Sequence, residues 1–190
     1  MNKNKIQLEN IEERFDNIIK SSEWSKLQKS YNDATNIFFF GHGGNMGIAD
    51  HGAIDSSRLT DKNIIAPGSA ITVTSLIADA NFNSWIKNWL ETRSRGLDKS
   101  KCLAIGFSCS INNESSNCIV EALNWADKNN IDTAMISAQY NPCGNTDIIK
   151  VVQNVEYYHT SEILSLMLTY QLIHGAGFNC PSILKKCKIK

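Results

Sequence analysis

The chain has 190 residues, a length that suits one domain with a sizeable core. Its 19 basic residues balance 19 acidic ones, which gives no argument for bulk binding of nucleic acid or of a membrane surface. No apolar run is long enough to span a bilayer, and the N-terminal stretch has the acids and amphipathic spacing of a helix rather than of a signal peptide. The 6 scattered cysteines lack finger spacing and favour reduced thiols in a cytoplasmic protein, although Cys180 and Cys187 lie near enough in sequence to pair.

In chain order, apolar residues at helical spacing predict two N-terminal helices within residues 1–35, which pack on the domain or on a partner subunit. The main domain spans residues 36–178, and a weakly specified tail covers 179–190. Short apolar runs predict five strands, at Ile37–Phe40, Ser69–Ser75, Lys101–Phe107, Thr133–Ser137 and Ile148–Val152. Helices are predicted after the first strand, over Phe82–Arg93, from Ser115 or Ser116 to Asn129, and over Ser161–Ile173.

This alternation of strands and helices predicts an α/β fold, a three-layer sandwich with a five-stranded, mostly parallel sheet. Ligands bind such sheets beyond the carboxyl ends of the strands. Three polar segments follow predicted strands, namely the glycine loop after Phe40, a loop at Asp79 and the serine-rich loop after Phe107. We therefore expect all three to converge on one crevice.

The glycine loop is the first candidate site. Gly41, Gly43 and Gly44 permit a tight turn, and Asn45 is a good N-cap for the helix that follows, whose N-terminus is suited to an anion. A dinucleotide site is disfavoured because the next glycine is one residue late and the next predicted strand lacks a terminal acid. In the same helix, His51 and Asp55 are four apart, as in an acid/base or metal pair, or in a local hydrogen bond on a surface helix.

The serine-rich loop, Ser108–Asn117, is the second candidate. Hydroxyl and backbone N–H groups between a strand and a helix suit a phosphate, although an ordinary polar turn with a serine cap has the same composition. Together with the glycine loop at the matching end of another strand, phosphate binding is the better interpretation.

Taken together, these motifs resemble the sugar isomerase (SIS) domain, and within it the phosphoheptose isomerase group, which acts on sedoheptulose 7-phosphate. The resemblance covers nearly the whole chain and implies a flavodoxin-like topology and a homodimer or homotetramer with sites at subunit interfaces. It implies catalytic and metal-binding roles for His51 and Asp55. The substrate- and phosphate-binding positions that it implies are His42, Gly43, Gly44, Asn45, Asp79, Ser108, Cys109, Ser110 and Ser116.

The last predicted helix departs from the family pattern. Ser161 stands where the family has a glutamine, and Thr169 stands where it has a histidine that acts as acid/base and zinc ligand. Two of four expected Zn²⁺ ligands are therefore absent, and His51 with Asp55 would bind the metal weakly. The sequence predicts a phosphosugar isomerase with an altered catalytic set. A non-catalytic SIS protein, either a sugar-phosphate sensor or one that associates with a replication initiator, stays open as the alternative.

Overall fold

The computed structural model describes residues 5–109, 114–140, 142 and 144–182, apart from the side chains of 114–116. Its sheet has five strands in the order β2-β1-β3-β4-β5, and every neighbouring pair is parallel. This order is flavodoxin-like, so the predicted α/β class and topology are confirmed. The strands are β1 (Asn36–Gly41), β2 (Asn63–Ile65), β3 (Cys102–Ser108), β4 (Asp132–Ser137) and β5 (Ile149–Val152).

Helices cover both faces of this sheet. One face carries the N-terminal helices with α3 and α7, and the other carries α4, α5 and α6. Within the described residues, none of these helices is both long enough and apolar enough to cross a membrane. The helices are α1 (Ile11–Ile19), α2 (Ser22–Asp33), α3 (Gly44–Leu59), α4 (Ala70–Asp79), α5 (Trp85–Arg93), α6 (Glu114–Lys128) and α7 (Tyr158–Gly175), with a 3-10 turn at Lys99–Lys101.

Alternating side chains of β1 fill two separate cores. Ile37 and Phe39 pack into the layer of α3 and α7, whereas Phe38 and Phe40 pack against Trp89 of α5 and its neighbours. All four β1 side chains are essentially inaccessible to solvent. A central strand that is buried on both faces has a continuous apolar sequence, and this pattern is the reason that β1 could be predicted.

The N-terminal helices contribute to the first of these cores. Trp24, Leu27 and Tyr31 of α2 are buried in the same cluster as Leu168 and Leu172 of α7. Ser21 caps α2 by accepting a hydrogen bond from the Trp24 N–H at 3.1 Å. These helices therefore pack on the sheet layer within one chain, with α1 and α2 both in contact with α7.

One predicted strand is wrong. Residues 69–75 form the start of helix α4, because Ser69 caps it and Val73, Leu76 and Ile77 repeat at the spacing of a helix and pack beside α5. The second strand is instead β2, whose three residues are too few to show a periodic pattern. Consequently Asp79 ends a helix and does not follow a strand, so the reason for placing it in the crevice fails.

Two predicted caps are also wrong. Gly43 holds the N-cap position of α3, and Asn45 lies inside the first helical turn. Ser115 and Ser116 lie within α6, which already begins at Glu114. The predicted last helix is present and is longer at both ends, over Tyr158–Gly175.

Candidate active site

The turn from β1 into α3 is determined by backbone geometry. A Cβ at Gly41 would lie 2.6 Å from the backbone carbon and oxygen of Asn45, so only glycine lets α3 fold back over the end of β1. Gly43 has a φ of 60°, which side chains other than glycine rarely adopt. The first turn of α3 therefore lies at the carboxyl end of the central strand.

The N-terminus of α3 already faces a carboxylate of the same chain. Gly44 is its first helical residue, and a Cβ there would overlap Oε1 of Glu162, which projects from α7. A glutamate beside a helix N-terminus is stabilised by the free N–H groups and the helix dipole. Glu162 thus lies beside the first turn of α3, close to the loop where the sequence predicts a phosphate or sugar.

The loops after β1 and β3 contact each other. The Asn45 Nδ2 group donates a hydrogen bond to the Cys109 Sγ atom at 3.2 Å, and Cys109 directly follows Ser108 at the end of β3. Asn45 is 5% exposed, and its Oδ1 atom has no hydrogen-bond partner among the described residues. We call His42–Asn45 with Ser108 and Cys109 the strand-end crevice. It brings together two of the three predicted loops and keeps one buried amide oxygen free to accept a hydrogen bond.

His42, in the strand-end crevice, contacts an aromatic side chain. Its ring meets the ring of Phe82 edge-on, with centroids 5.0 Å apart. Phe82 is still 36% exposed, and Asp79 is exposed at the end of α4. His42 thus has an edge-on aromatic contact with a residue that the sequence placed only at the start of a predicted helix.

The remaining phosphate positions lie partly outside the described residues. Ser110 falls outside them, and Ser116 is in α6 with a side chain that is not described. Ser108, which belongs to the strand-end crevice, is buried at the end of β3. The phosphate-binding roles of these serines stay predictions.

A second polar group lies between α3 and α7. The Tyr170 hydroxyl donates a hydrogen bond to Asp55 Oδ2 at 2.6 Å and lies 3.3 Å from His51 Nε2. His51 Nε2 is 3.3 Å from the same carboxylate oxygen, and a guanidinium nitrogen of Arg58 is 3.7 Å from Asp55 Oδ1. We call His51, Asp55 and Tyr170 the α3–α7 cluster. The predicted pair of His51 and Asp55 is therefore present, and it has a third member.

This arrangement changes the acidity of both oxygen acids. The hydrogen bond from Tyr170, helped by His51 and Arg58, holds the pKa of Asp55 below its ordinary value. In return, the hydrogen bond to Asp55, together with burial and the charge of that carboxylate, raises the pKa of Tyr170 to about 12. At neutral pH the cluster thus contains an ionised carboxylate beside a protonated phenol.

Tyr170 is the functional candidate that sequence reasoning missed. The resemblance points to position 169, one residue earlier, and implies no role for Tyr170. The available signal was that Tyr170, which carries a hydroxyl, directly follows the position where the resemblance implies a catalytic histidine. Contacts of Gly44 with Glu162, Gly52 with Thr169 and Asp55 with Tyr170 show that α3 and α7 run side by side in the same direction.

The two departures from the family pattern are used in internal packing. Thr169 is 1% exposed, its hydroxyl donates a hydrogen bond to the Leu166 carbonyl at 2.7 Å, and its methyl group packs against Gly52. Ser161 is also buried and donates a hydrogen bond to the Gln153 side chain at 2.6 Å. Neither side chain is available to a ligand of the α3–α7 cluster.

The α3–α7 cluster does not supply a metal-ligand set. Zinc sites use three or four nitrogen, sulfur or oxygen ligands, and no group of three or more His, Cys, Asp or Glu side chains suits a metal among the described residues. Burial and the negative charge of Asp55 raise the pKa of the nearby Cys180 thiol. Within the part of the chain that the structure describes, His51 and Asp55 thus have no third His, Cys, Asp or Glu placed to bind Zn²⁺ with them.

Comparisons with known proteins agree with this fold. No protein-family model matches the chain, and no curated protein matches it. Solved structures do match. Phosphoheptose isomerase from Neisseria gonorrhoeae aligns over 90% of this chain and 92% of its own, with 14% identity and a TM-score of 0.71. The enzyme from Francisella tularensis aligns over the same shares, with 13% identity and a TM-score of 0.70.

A third solved structure belongs to a different kind of protein. The Vibrio vulnificus NanR protein complexed with ManNAc-6P aligns over 86% of this chain and 57% of its own, with 14% identity and a TM-score of 0.60. At this level of identity the likeness concerns the fold. The chain has the fold of phosphoheptose isomerases and other SIS proteins, which confirms the expected architecture.

Proposed function

We propose that this protein is a phosphosugar isomerase that interconverts an aldose and a ketose, acting on sedoheptulose 7-phosphate or a related phosphosugar. The observation that carries the proposal is the Asp55 carboxylate, ionised, 24% exposed and bonded to a proton donor from another helix. The fold shared with two phosphoheptose isomerases supports the same activity.

The reaction requires the two groups that the α3–α7 cluster contains. Aldose–ketose isomerisation moves a proton between neighbouring carbons through an enediol, so it needs a base for carbon and a proton donor for oxygen. Asp55 is the proposed base. His51, beside it, orients the carboxylate and accepts or donates a proton at Nε2.

The proposed site is completed by a second copy of the chain. Asn45 and Asp55 are ten residues apart in one helix, so their backbones are separated by about 15 Å along its axis. A homodimer or homotetramer would let the crevice of one copy hold the phosphate while Asp55 of another acts on the sugar. Large apolar side chains exposed on α3, α4 and α7 support such contacts, namely Ile54, Ile71 and Ile163.

Mixing experiments test this sharing. Asp55→Asn and Asn45→Ala variants, each impaired alone, should recover part of the activity when they are unfolded and refolded together. No recovery in mixed oligomers, shown by sedimentation to contain both variants, would refute a shared site.

A sugar-phosphate sensor is the second candidate. Burial of Ser161 and Thr169 favours it, because the positions that resemble catalytic ones in the family are committed to packing. The NanR structure, a protein in complex with ManNAc-6P, supports phosphosugar binding by this fold. In a sensor the α3–α7 cluster would bind sugar hydroxyls without moving protons.

Incubation with sedoheptulose 7-phosphate, followed by NMR in D₂O, separates these functions. An isomerase should produce the aldose and exchange deuterium at the carbon next to the carbonyl. Ligand-induced thermal stabilisation without turnover would favour the sensor, and neither effect with any phosphosugar would refute both.

The cytoplasm is the proposed compartment. Among the described residues, no disulfide bond joins Cys102, Cys109, Cys118 or Cys180. This supports a reducing environment. The pairing of Cys180 with Cys187 stays untested because Cys187 lies outside the described residues.

A further inference from the structure

We propose that Tyr170 is a catalytic hydrogen-bond donor and that the α3–α7 cluster works without a divalent metal. The phenol would polarise the carbonyl of the sugar while Asp55 takes the proton from carbon. The inference rests on the proposed isomerase function, and it goes further by assigning a new residue and a metal-independent mechanism.

The position of the phenol is the first argument. Tyr170 projects from α7 onto the one carboxylate of α3 that also contacts His51, so three polar groups meet within 3.3 Å across two helices. A lone surface ion pair on α3 would need no partner from α7. The hydroxyl donates its single proton to the proposed base, so in the proposed reaction that O–H turns from Asp55 to a substrate oxygen bound beside it.

The surroundings of the carboxylate are the second argument, because they do not suit a cation. Asp55 Oδ2 accepts the Tyr170 hydroxyl at 2.6 Å, and Oδ1 faces the Arg58 guanidinium at 3.7 Å. A divalent metal would have to displace the phenol and lie beside the positive charge of Arg58. Metal binding at either carboxylate oxygen would break the charge-assisted contact that Tyr170 or Arg58 now makes with Asp55.

The proton balance closes without any other reagent. From the ketose, Asp55 takes a proton from C1, the C1–H electron pair forms the C1–C2 double bond, and the carbonyl oxygen at C2 takes the proton of Tyr170. In the second half, Asp55 returns its proton to C2, and the C1 hydroxyl gives its proton to the Tyr170 oxygen as the C1 carbonyl forms. Both residues end as they began, and nothing is oxidised or reduced overall.

Zinc titration tests the metal-independent part and does not require activity. The wild-type chain should bind no stoichiometric Zn²⁺ in equilibrium dialysis at micromolar metal. Tyr170→His replaces the phenol by an imidazole and completes a three-ligand set with His51 and Asp55, so it should bind one Zn²⁺ per chain. His51→Ala added to Tyr170→His should abolish that gain. One Zn²⁺ per wild-type chain, lost in Asp55→Asn, would overturn the inference.

Kinetics test the donor role. Tyr170→Phe keeps the ring and removes the hydroxyl, so kcat should fall about 100-fold while KM changes by less than about threefold. Tyr158→Phe is the matched control, because Tyr158 is on the same helix and is 69% exposed. EDTA should leave wild-type turnover unchanged. An unchanged kcat in Tyr170→Phe, or loss of turnover with EDTA, would refute the proposal.

Failure of the isomerase function is distinguishable from failure of this inference. If the wild-type chain turns over no phosphosugar, the isomerase proposal fails and the donor role of Tyr170 fails with it. The zinc titration still decides whether the α3–α7 cluster takes a metal.

Discussion

The strand-end crevice and the α3–α7 cluster differ in what holds them together. The crevice is built by backbone geometry, since Gly41 and Gly43 have no room or no allowed conformation for another side chain. The cluster is built by side chains that meet across two helices, about 115 residues apart in the chain. A backbone-built site depends on a local motif that is visible in sequence, whereas a side-chain site depends on a partner that only the fold brings near.

The largest effect should come from the cluster. Asp55→Asn keeps the shape of the side chain and removes the base, so kcat should fall by about 1,000-fold or more, measured by NMR of aldose and ketose signals. Thermal stability should fall modestly, since the substitution removes the charge that the Tyr170 hydroxyl and His51 now contact on a partly exposed side chain.

Asp61→Asn is the control for this substitution, because Asp61 is an exposed carboxylate that directly follows the end of α3 and its helical cap. The control should keep wild-type kcat. Full activity in Asp55→Asn would show that this carboxylate is not the base. The strand-end crevice would then be the better candidate for the catalytic groups.

The next largest effect should come from the crevice and should be on stability. Gly41→Ala places a Cβ 2.6 Å from the Asn45 backbone, which cannot move aside like a flexible side chain, so it should destabilise the fold by about 1–3 kcal/mol. Gly47→Ala is the matched control inside α3, where a Cβ meets nothing within 4 Å. It should stabilise the fold by about 0.5–1 kcal/mol through helix propensity.

Urea unfolding monitored by circular dichroism measures both variants. Equal midpoints for Gly41→Ala and Gly47→Ala would contradict a crevice fixed by its backbone. It would mean instead that the turn tolerates side chains and that its glycines serve the ligand alone.

The fold was largely predictable because its strongest signals are local. The apolar runs of β1, β3 and β4 are buried on both faces, and the apolar stretch of α7 is too long for a strand, so each pattern indicated its element. β2 has three residues and gave no pattern. The β-branched residues of α4 imitated a strand, because helix propensity is weak and packing beside α5 decided the outcome.

The site was predictable only where a motif is contiguous. His51 and Asp55 are four apart in one helix, so their contact followed from helical geometry. Glu162 beside Gly44 and Tyr170 beside Asp55 each join residues more than 100 positions apart, and no periodic pattern encodes the relative rotation of two helices. The unexpected features of both regions thus come from α7.

A moderate effect should appear in the pH dependence of the cluster. The folded-state pKa of Asp55 is lowered, so its interactions add stability above its unfolded pKa, and this contribution is lost as pH falls through the folded value. In Tyr170→Phe the largest cause of the shift is gone, so the Asp55 carboxyl should titrate at a higher pH.

Carbon-detected NMR of the Asp55 carboxyl measures this directly. Wild type and Tyr170→Phe should differ in stability at neutral pH and converge once the carboxyl is protonated in both folded states. An unchanged Asp55 titration in Tyr170→Phe would show that the phenol contact is not maintained in solution.

The smallest effect should come from Thr169→Val, at the position that resembles the family's catalytic histidine. Valine matches the shape of threonine, and the lost hydroxyl donates only to the Leu166 carbonyl one turn back in the same helix. The substitution should therefore leave kcat, KM and phosphosugar affinity within about twofold of wild type and change stability by less than about 1 kcal/mol. A large loss of turnover with normal stability would mean that Thr169 reaches the substrate. The α3–α7 cluster would then extend inward to position 169, and Tyr170 would not be the residue of α7 that completes it.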